Sequence, residues 1–162
     1  MYEAFGCPHY DLRNHLTVPL FAFVSFFEEP SETYYGGWES GCLEPRFHWC
    51  VAGEILGPAH PLRPSALIRS KSGEQMPVIF YPNEKESTPA SPSTFSWTDL
   101  KAGFTLVLLY GERKQFMDCS VGIRCEEPDD ATVFRASLAT VVRESIEIGK
   151  SNCFQCHNTG TS

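Results

Sequence analysis

The sequence predicts a mainly β domain with a C-terminal helix. Its 162 residues suffice for one hydrophobic core, but not for two large domains. Phe, Gly and Pro number 12 each, whereas Met numbers only 3, a composition that favours strands and turns over long helices. Hydrophobic residues make up 42% of the chain and charged residues 20%, which is typical of a folded globular protein.

Residues 1–45 form an N-terminal segment whose structure the pattern leaves open. The apolar run from Leu16 to Phe27, interrupted by Pro19, is consistent with a strand or with a buried helix. Tyr34 to Trp38 is typical of an aromatic turn region. The run is shorter than the roughly 20 residues of a membrane-spanning helix, and the acidic residues around it do not suit a signal peptide. We therefore expect an intracellular protein, cytoplasmic or nuclear, with no membrane partner.

Three strands are predicted in the next part of the chain. Apolar and polar residues alternate from Phe47 to Ile55, which indicates a strand with one buried face that ends at Gly57-Pro58. By the same alternation, His48, Trp49 and Cys50 are explained by packing rather than as ligands. Ala66 to Ser70 and Met76 to Tyr81 are separated by turn residues and predict an antiparallel hairpin.

A polar stretch and the strongest strand follow. Pro82 to Pro92 contains almost no apolar residue and predicts a mobile loop. A short helix is expected over Phe95 to Leu100, beginning near Ser96, because Asp99 three residues on favours a helix N-terminus. Phe104 to Tyr110 is apolar at nearly every position and predicts a central strand covered on both faces.

The last elements complete an OB-like order. Val121 to Cys125 is expected to pair with the central strand. Thr132 to Ala136 is expected to continue the strand Val121 to Cys125 or to pair with that strand. A helix from Ser137 to Ile148 closes the domain, with Ser137 as N-cap. Its apolar stripe consists of Leu138, Val141, Val142 and Ile146. The order of five or six strands resembles an OB-fold, so residues 46–150 are expected to form an OB-like curled antiparallel sheet or small barrel with a closing helix.

The cysteines carry the sharpest chemical signal. An odd total of 7, mostly without regular spacing, argues against a disulfide framework and for a reducing compartment. Cys153 and Cys156 have the spacing with which two thiolates reach one tetrahedral zinc. Read with His157, the same segment is Cys-x-x-Cys-His, the attachment signature of a c-type haem. An incidental cysteine pair is the third interpretation.

Other function classes find less support. We expect no enzymatic activity, because no phosphate-binding loop, nucleophile elbow or metalloprotease motif occurs. A net charge of −7 makes nucleic-acid binding unlikely. Arg113 and Lys114, with the aromatic side chains of Tyr110 and Phe116, are the best candidate surface for it. The alternative function is thus an OB-fold module that binds nucleic acid.

The region from Gly103 to Arg124, GFTLVLLYGERKQFMDCSVGIR, resembles the β-rich domain that precedes the finger in fungal MYND-type zinc-finger proteins. That resemblance extends over Phe47 to Cys156. It implies that Cys153 and Cys156 are the first two ligands of the first zinc, and that residues 151–162 begin a finger whose other ligands lie beyond the present C-terminus. It also implies a non-enzymatic scaffold whose partners are proteins, among them proline-containing peptides.

Zinc content tests this interpretation. By itself the chain should bind zinc weakly, because two thiolates leave half of the tetrahedral shell to water. A longer chain that supplies the remaining ligands should bind zinc tightly, since a structural zinc contributes about 10–16 kcal/mol in finger peptides. Elemental analysis of both chains measures the difference. Covalent haem absorption bands in the longer chain would contradict the zinc interpretation, and the absence of both metal and haem would leave the pair incidental.

Overall fold

The computed structural model describes residues 12–81, 96–126 and 130–145. Within these ranges the chain forms nine strands, three single-turn 3-10 helices and a helix, α1, that occupies residues 138–145. The strands are β1 (Tyr35–Gly36), β2 (Glu44–Pro45), β3 (Cys50–Gly57), β4 (Ser65–Arg69), β5 (Gln75–Phe80), β6 (Thr105–Leu109), β7 (Arg113–Gln115), β8 (Val121–Cys125) and β9 (Ala131–Phe134). The 3-10 helices are Phe21–Phe23, Trp38–Ser40 and Trp97–Asp99.

Seven strands form one sheet in the order β7-β8-β5-β4-β3-β6-β9, and β1 pairs with β2 alone. In chain order, the first three strands of the large sheet are β3, β4 and β5, which form an antiparallel meander. The next strand, β6, returns to pair with β3. β8 joins β5 in parallel. This order is that of an OB-like sheet, so the predicted mainly β fold with a C-terminal helix is confirmed.

Two pairings differ from the sequence prediction. One is β8, which was expected beside the strand Phe104 to Tyr110 (β6) but pairs with β5 instead, and in parallel where only antiparallel neighbours were expected. The many residues between β5 and β8 provide the crossover that parallel strands need. The other is β9, expected beside Val121–Cys125, which pairs with β6 instead. The sequence predicts no strand at β7, because three residues of mixed polarity carry no readable alternation, but β7 forms an antiparallel hairpin with β8.

Alternating side chains of the sheet build the core. On β3, Trp49 just before the strand, Val51 and Ile55 are buried, which confirms that the predicted alternation reflects packing. Strands β4, β5, β6 and β8 contribute in the same way. Their buried core residues are Ala66, Ile68, Met76, Val78, Phe80, Leu106, Leu108, Ile123 and Cys125.

The N-terminal segment belongs to this core. Phe21, Val24, Tyr34 and Tyr35 are buried in the same cluster as the strands. The rings of Tyr34 and Trp49 lie 4.9 Å apart, centroid to centroid. The apolar run that the sequence left open therefore forms a 3-10 turn and extended backbone rather than a long helix or a regular strand.

Both predicted helix starts are confirmed. Ser96 forms a capping box with Asp99 at the start of the 3-10 turn. At the start of α1, the Thr140 amide donates to Ser137 Oγ at 3.3 Å. α1 packs on a small second cluster through Leu138, whereas its next apolar residues are only partly buried. The predicted loop at 82–92 and the end of the helix lie outside the described residues.

In the described parts of the chain, no helix is long and apolar enough to cross a membrane.

Leu108 and Leu109 provide a matched test of the core. Leu108 is 1% exposed and its neighbour on β6 is 45% exposed. Leu108→Ala should lower the free energy of unfolding by about 2–5 kcal/mol, because it removes buried apolar contacts and leaves a cavity. Leu109→Ala should change it by less than about 0.5 kcal/mol. Urea denaturation of both variants measures the two values, and equal losses would contradict this core assignment.

Candidate functional site

The outer face of β5 and β8 brings together residues that are far apart in sequence. On β8, Ile123 and Cys125 are buried inward, so Gly122 and Arg124 face outward. The Tyr81 amide donates to the Cys125 carbonyl at 2.8 Å and extends the parallel ladder past the end of β5. Tyr81 therefore lies on the outer face beside Arg124.

Two guanidinium groups contact the same aromatic ring. Arg124 Cζ lies 4.5 Å from the centroid of the Tyr81 ring, and Arg63 Cζ lies 4.4 Å from it. Both distances are within the range of a cation–π interaction. We call the surface formed by Arg63, Tyr81, Phe116 and Arg124 the Tyr81 face.

A buried serine shapes the loop that carries Arg63. This loop connects β3 and β4, and Ser65 at its end is 6% exposed. Ser65 Oγ accepts hydrogen bonds from the amides of His60 at 2.7 Å and Ala59 at 3.1 Å. The hydroxyl thus holds the loop against the start of β4 and places Arg63 over the sheet.

Phe116 reaches the same face because residue 122 is glycine. A Cβ added to Gly122 would lie 2.6 Å from Phe116 Cε2 and 2.5 Å from the Pro77 carbonyl oxygen. The Phe116 ring therefore lies against Gly122. Gly122 and Arg124 are two residues apart on one strand, a separation of roughly 7 Å. The Phe116 ring and the Arg124 guanidinium are consequently neighbours along the face.

The turn after β7 borders the Tyr81 face. Asp118 Oδ1 accepts from the Ser120 hydroxyl at 2.6 Å and from its amide at 3.0 Å. These bonds are the main reason that the pKa of Asp118 lies below its ordinary value, with a smaller contribution from the charge of His60. Because His60 belongs to the β3–β4 loop, that loop and the turn approach each other across the face.

The Glu126 carboxylate pairs with Arg124, one of the two cations of this face. Glu126 Oε1 lies 2.8 Å from Arg124 Nε. Both side chains are partly exposed, so water screens the pair and it contributes little stability. Chemically, the face combines two cations with aromatic rings, a set that binds phosphate groups and stacks on planar bases.

The basic residues that the sequence singled out have other roles. Arg113 Nε donates to the Val24 carbonyl at 2.6 Å, and burial lowers the pKa of its guanidinium. Lys114 Nζ lies 4.6 Å from the centroid of the Phe27 ring. Of the four predicted residues, only Phe116 reaches the Tyr81 face. The pair Arg63 and Arg124 was missed, because no local pattern links a loop to a strand some 60 positions later.

Tyr110 also serves the core rather than a ligand surface. Its hydroxyl hydrogen-bonds to His48 Nδ1, and its ring meets the Trp49 ring edge to face at 6.1 Å. The contacts with His48 and Trp49 explain why an aromatic residue follows β6.

Cys153 and Cys156, like His157, lie outside the described residues, so zinc and haem ligation stay predictions. In residues 12–81, 96–126 and 130–145, no group of three or more His, Cys, Asp or Glu side chains could hold a metal ion. Among the cysteines described there, Cys42, Cys50 and Cys119 carry free thiols. Burial raises the pKa of the Cys50 thiol to about 11, which makes it a poor nucleophile at neutral pH.

Two cavities flank β7. One, of about 250 Å³, lies between β6 and β8, which are not neighbours in the sheet; we call it the seam cavity. It is lined by Phe27, Leu108, Leu109, Gly111, Glu112, Lys114, Ile123, Arg124, Cys125, Glu126 and Asp130. The other, wider and of about 730 Å³, is lined by Phe26, Glu28, Glu29, Gln115, Phe116, Met117 and Cys119.

Strand order and outer face together define an OB-like domain with a cation–aromatic surface. No family model matches the chain, and no curated protein matches it. Among solved structures, it is similar to a chain of the S. pombe Stn1–Ten1 complex, at 15% sequence identity and a TM-score of 0.41. The match covers 88% of this chain and 98% of that chain. Likeness at this level supports no inference about function, and the fold class rests on the strand pairing.

The seam cavity contains a carboxyl group whose titration can be followed. Burial raises the pKa of Glu112 above its ordinary value of 4.5, and the nearby charge of Glu28 raises it further, although a hydrogen bond from Tyr35 opposes the shift. The folded state therefore holds this proton more tightly than the unfolded state. Stability should fall as the pH rises from the ordinary pKa through the raised one.

Glu112→Gln should remove this dependence, because the amide oxygen still accepts from the Tyr35 hydroxyl but carries no charge. We expect the variant to be more stable than the natural chain at neutral pH, and to lose that advantage below pH 4.5. Thermal unfolding across this pH range measures the effect. Glu39→Gln, at an exposed position, is the control. An advantage that grows on acidification would contradict the assignment.

Proposed function

We propose that this protein is a non-enzymatic OB-like module that binds single-stranded nucleic acid through the Tyr81 face. The observation that carries the proposal is the placement of Arg63 and Arg124 over one aromatic ring on the outer surface of β5 and β8. In OB-folds generally, the face of the second and third strands and the loop between the first two accommodate oligonucleotides. Here β5 is the third strand of the large sheet, and Arg63 lies in the loop between the first two, β3 and β4.

Single strands suit the face better than duplexes. Unpaired bases can stack on aromatic rings and on guanidinium planes, whereas paired bases are hidden in the duplex. Phe116, Arg124 and Tyr81 follow one another along the face at spacings set by the strands. The guanidinium groups can move from the Tyr81 ring to phosphates at little cost, because exposed cation–π contacts are worth only about 0.5–1 kcal/mol.

The overall charge limits the affinity. At −7 the chain repels a phosphate backbone, which is why the sequence made nucleic-acid binding unlikely. Here the interaction depends on a local pair of cations, one of which is shared with Glu126. We therefore expect modest affinity and a strong dependence on salt.

A second proposal rests on Cys153 and Cys156. Their spacing, and the resemblance to proteins with a MYND-type finger, support a zinc-dependent protein-interaction segment after the OB-like domain, with proline-containing peptides as partners. The two proposals are compatible, because they concern different parts of the chain.

Fluorescence anisotropy with a labelled single-stranded oligothymidylate tests the nucleic-acid proposal. The natural chain should bind in low salt, and Arg63→Ala should weaken binding and reduce the slope of log K against log salt by about 0.7, the value for one lost contact with a single strand. Tyr81→Ala should weaken binding about 5- to 150-fold, corresponding to a loss of about 1–3 kcal/mol of stacking. Glu126→Gln should strengthen it, because it releases Arg124.

Arg143→Ala is the matched control. Like Arg124, Arg143 is an exposed arginine paired with a nearby glutamate, but it lies on α1. This variant should bind as the natural chain does. If it weakened binding as much as Arg63→Ala, or if no variant bound less than the natural chain, the Tyr81 face would not be the binding site.

A further inference from the structure

A segment of the N-terminal chain and β7 form a ridge between the two cavities. The Arg113 amide donates to the Ser25 carbonyl at 2.8 Å, and the Phe27 amide donates to the Arg113 carbonyl at 2.9 Å. Successive residues of paired extended chains point to opposite sides. Accordingly, Phe27 and Lys114 line the seam cavity, whereas Phe26 and Gln115 line the wider one. We call the ridge with both cavities the β7 surface.

Large apolar side chains are exposed on this surface. Met117 is fully exposed, Phe27 is 59% exposed, and Leu109 at the mouth of the seam cavity is 45% exposed. The seam cavity has a floor of buried Leu108 and Ile123. Aromatic residues and methionine next to an apolar cavity are enriched in protein interfaces, where the cavity receives an anchor side chain of the partner.

The charge of the β7 surface is negative. Five carboxylates and two cations line the two cavities. Both cations already lie near carboxylates of the surface, since Lys114 Nζ is 3.8 Å from Glu28 and Arg124 is paired with Glu126. The excess of carboxylates repels phosphate, and it also repels a second copy of a chain whose net charge is −7. A basic partner complements it.

We propose that the β7 surface binds a basic peptide segment of a partner protein, one in which apolar side chains alternate with Lys or Arg. An apolar side chain of the segment enters the seam cavity, another packs on Met117, and the cations between them face Glu28 and Glu29. This surface is distinct from the Tyr81 face in charge and in partner, although Phe116 and Arg124 border both.

Binding of a short fluorescent peptide of alternating leucine and lysine, measured by anisotropy on the full chain, tests this inference. The natural chain should bind the peptide saturably, and a leucine–glutamate peptide should not bind. Met117→Ser and Glu29→Lys should each weaken binding about tenfold or more, the range of interface hot spots. Both side chains are exposed, so the fold should persist, and circular dichroism checks that it does.

Leu62→Ser and Glu39→Lys are the matched controls, since both positions are exposed and line neither cavity. Equal weakening by Glu39→Lys would mean non-specific attraction to an acidic protein and would overturn the proposal, as would absence of saturable binding. Met117→Ser should leave oligothymidylate binding unchanged. If Met117→Ser weakened oligothymidylate binding as much as peptide binding, the two surfaces would be a single binding site, and this result would also overturn the proposal.

Discussion

The parallel contact between β5 and β8 is the constraint on which the rest of the structure depends. Pro77 has no amide hydrogen to donate, and the parallel register begins one residue later, at Val78. Opposite Pro77 stands Gly122, where any Cβ would collide with the Pro77 carbonyl. Only glycine lets β8 approach β5 at this point. The position of Arg124 beside Tyr81, and of the Phe116 ring against the sheet, follows from that approach.

A second consequence concerns the edge of the sheet. Among the described strands, β8 pairs with β5 and β7 and not with β6, so the sheet is open at the seam between β6 and β8. The N-terminal segment protects β7 by hydrogen-bonding to Arg113, whose guanidinium also lies 4.3 Å from the centroid of the Phe26 ring. This cation stabilises the edge and is not available for ligands. The same clamp holds Phe27 at the mouth of the seam cavity.

Opposite charges are thus segregated on a chain that is acidic as a whole. The Tyr81 face collects arginine from a loop and from a strand, whereas carboxylates predominate around β7. Arg124 and Glu126 lie where the two regions meet, and their ion pair couples the charge of one to that of the other. An exposed pair of this kind is weak enough to be exchanged for a ligand contact. The two proposals, nucleic acid on the Tyr81 face and a basic peptide on the β7 surface, follow this division of charge.

By itself the sequence determined the fold class, the three strands of the meander, the packing role of Trp49 and both helix starts. It also located the strand β6, but not its place beside the edge strand β9. Those features depend on local alternation and capping, which neighbouring residues encode. Tertiary structure alone decided the parallel pair, the pairing of β9 with β6, the clamp on Arg113 and the meeting of Arg63 with Arg124. These contacts join segments that are distant along the chain, and their register depends on which backbones can approach closely. A net charge of −7 therefore gave no sign that two arginines would lie over one aromatic ring, because charge adds up over the chain whereas local contacts depend on where the fold places each side chain.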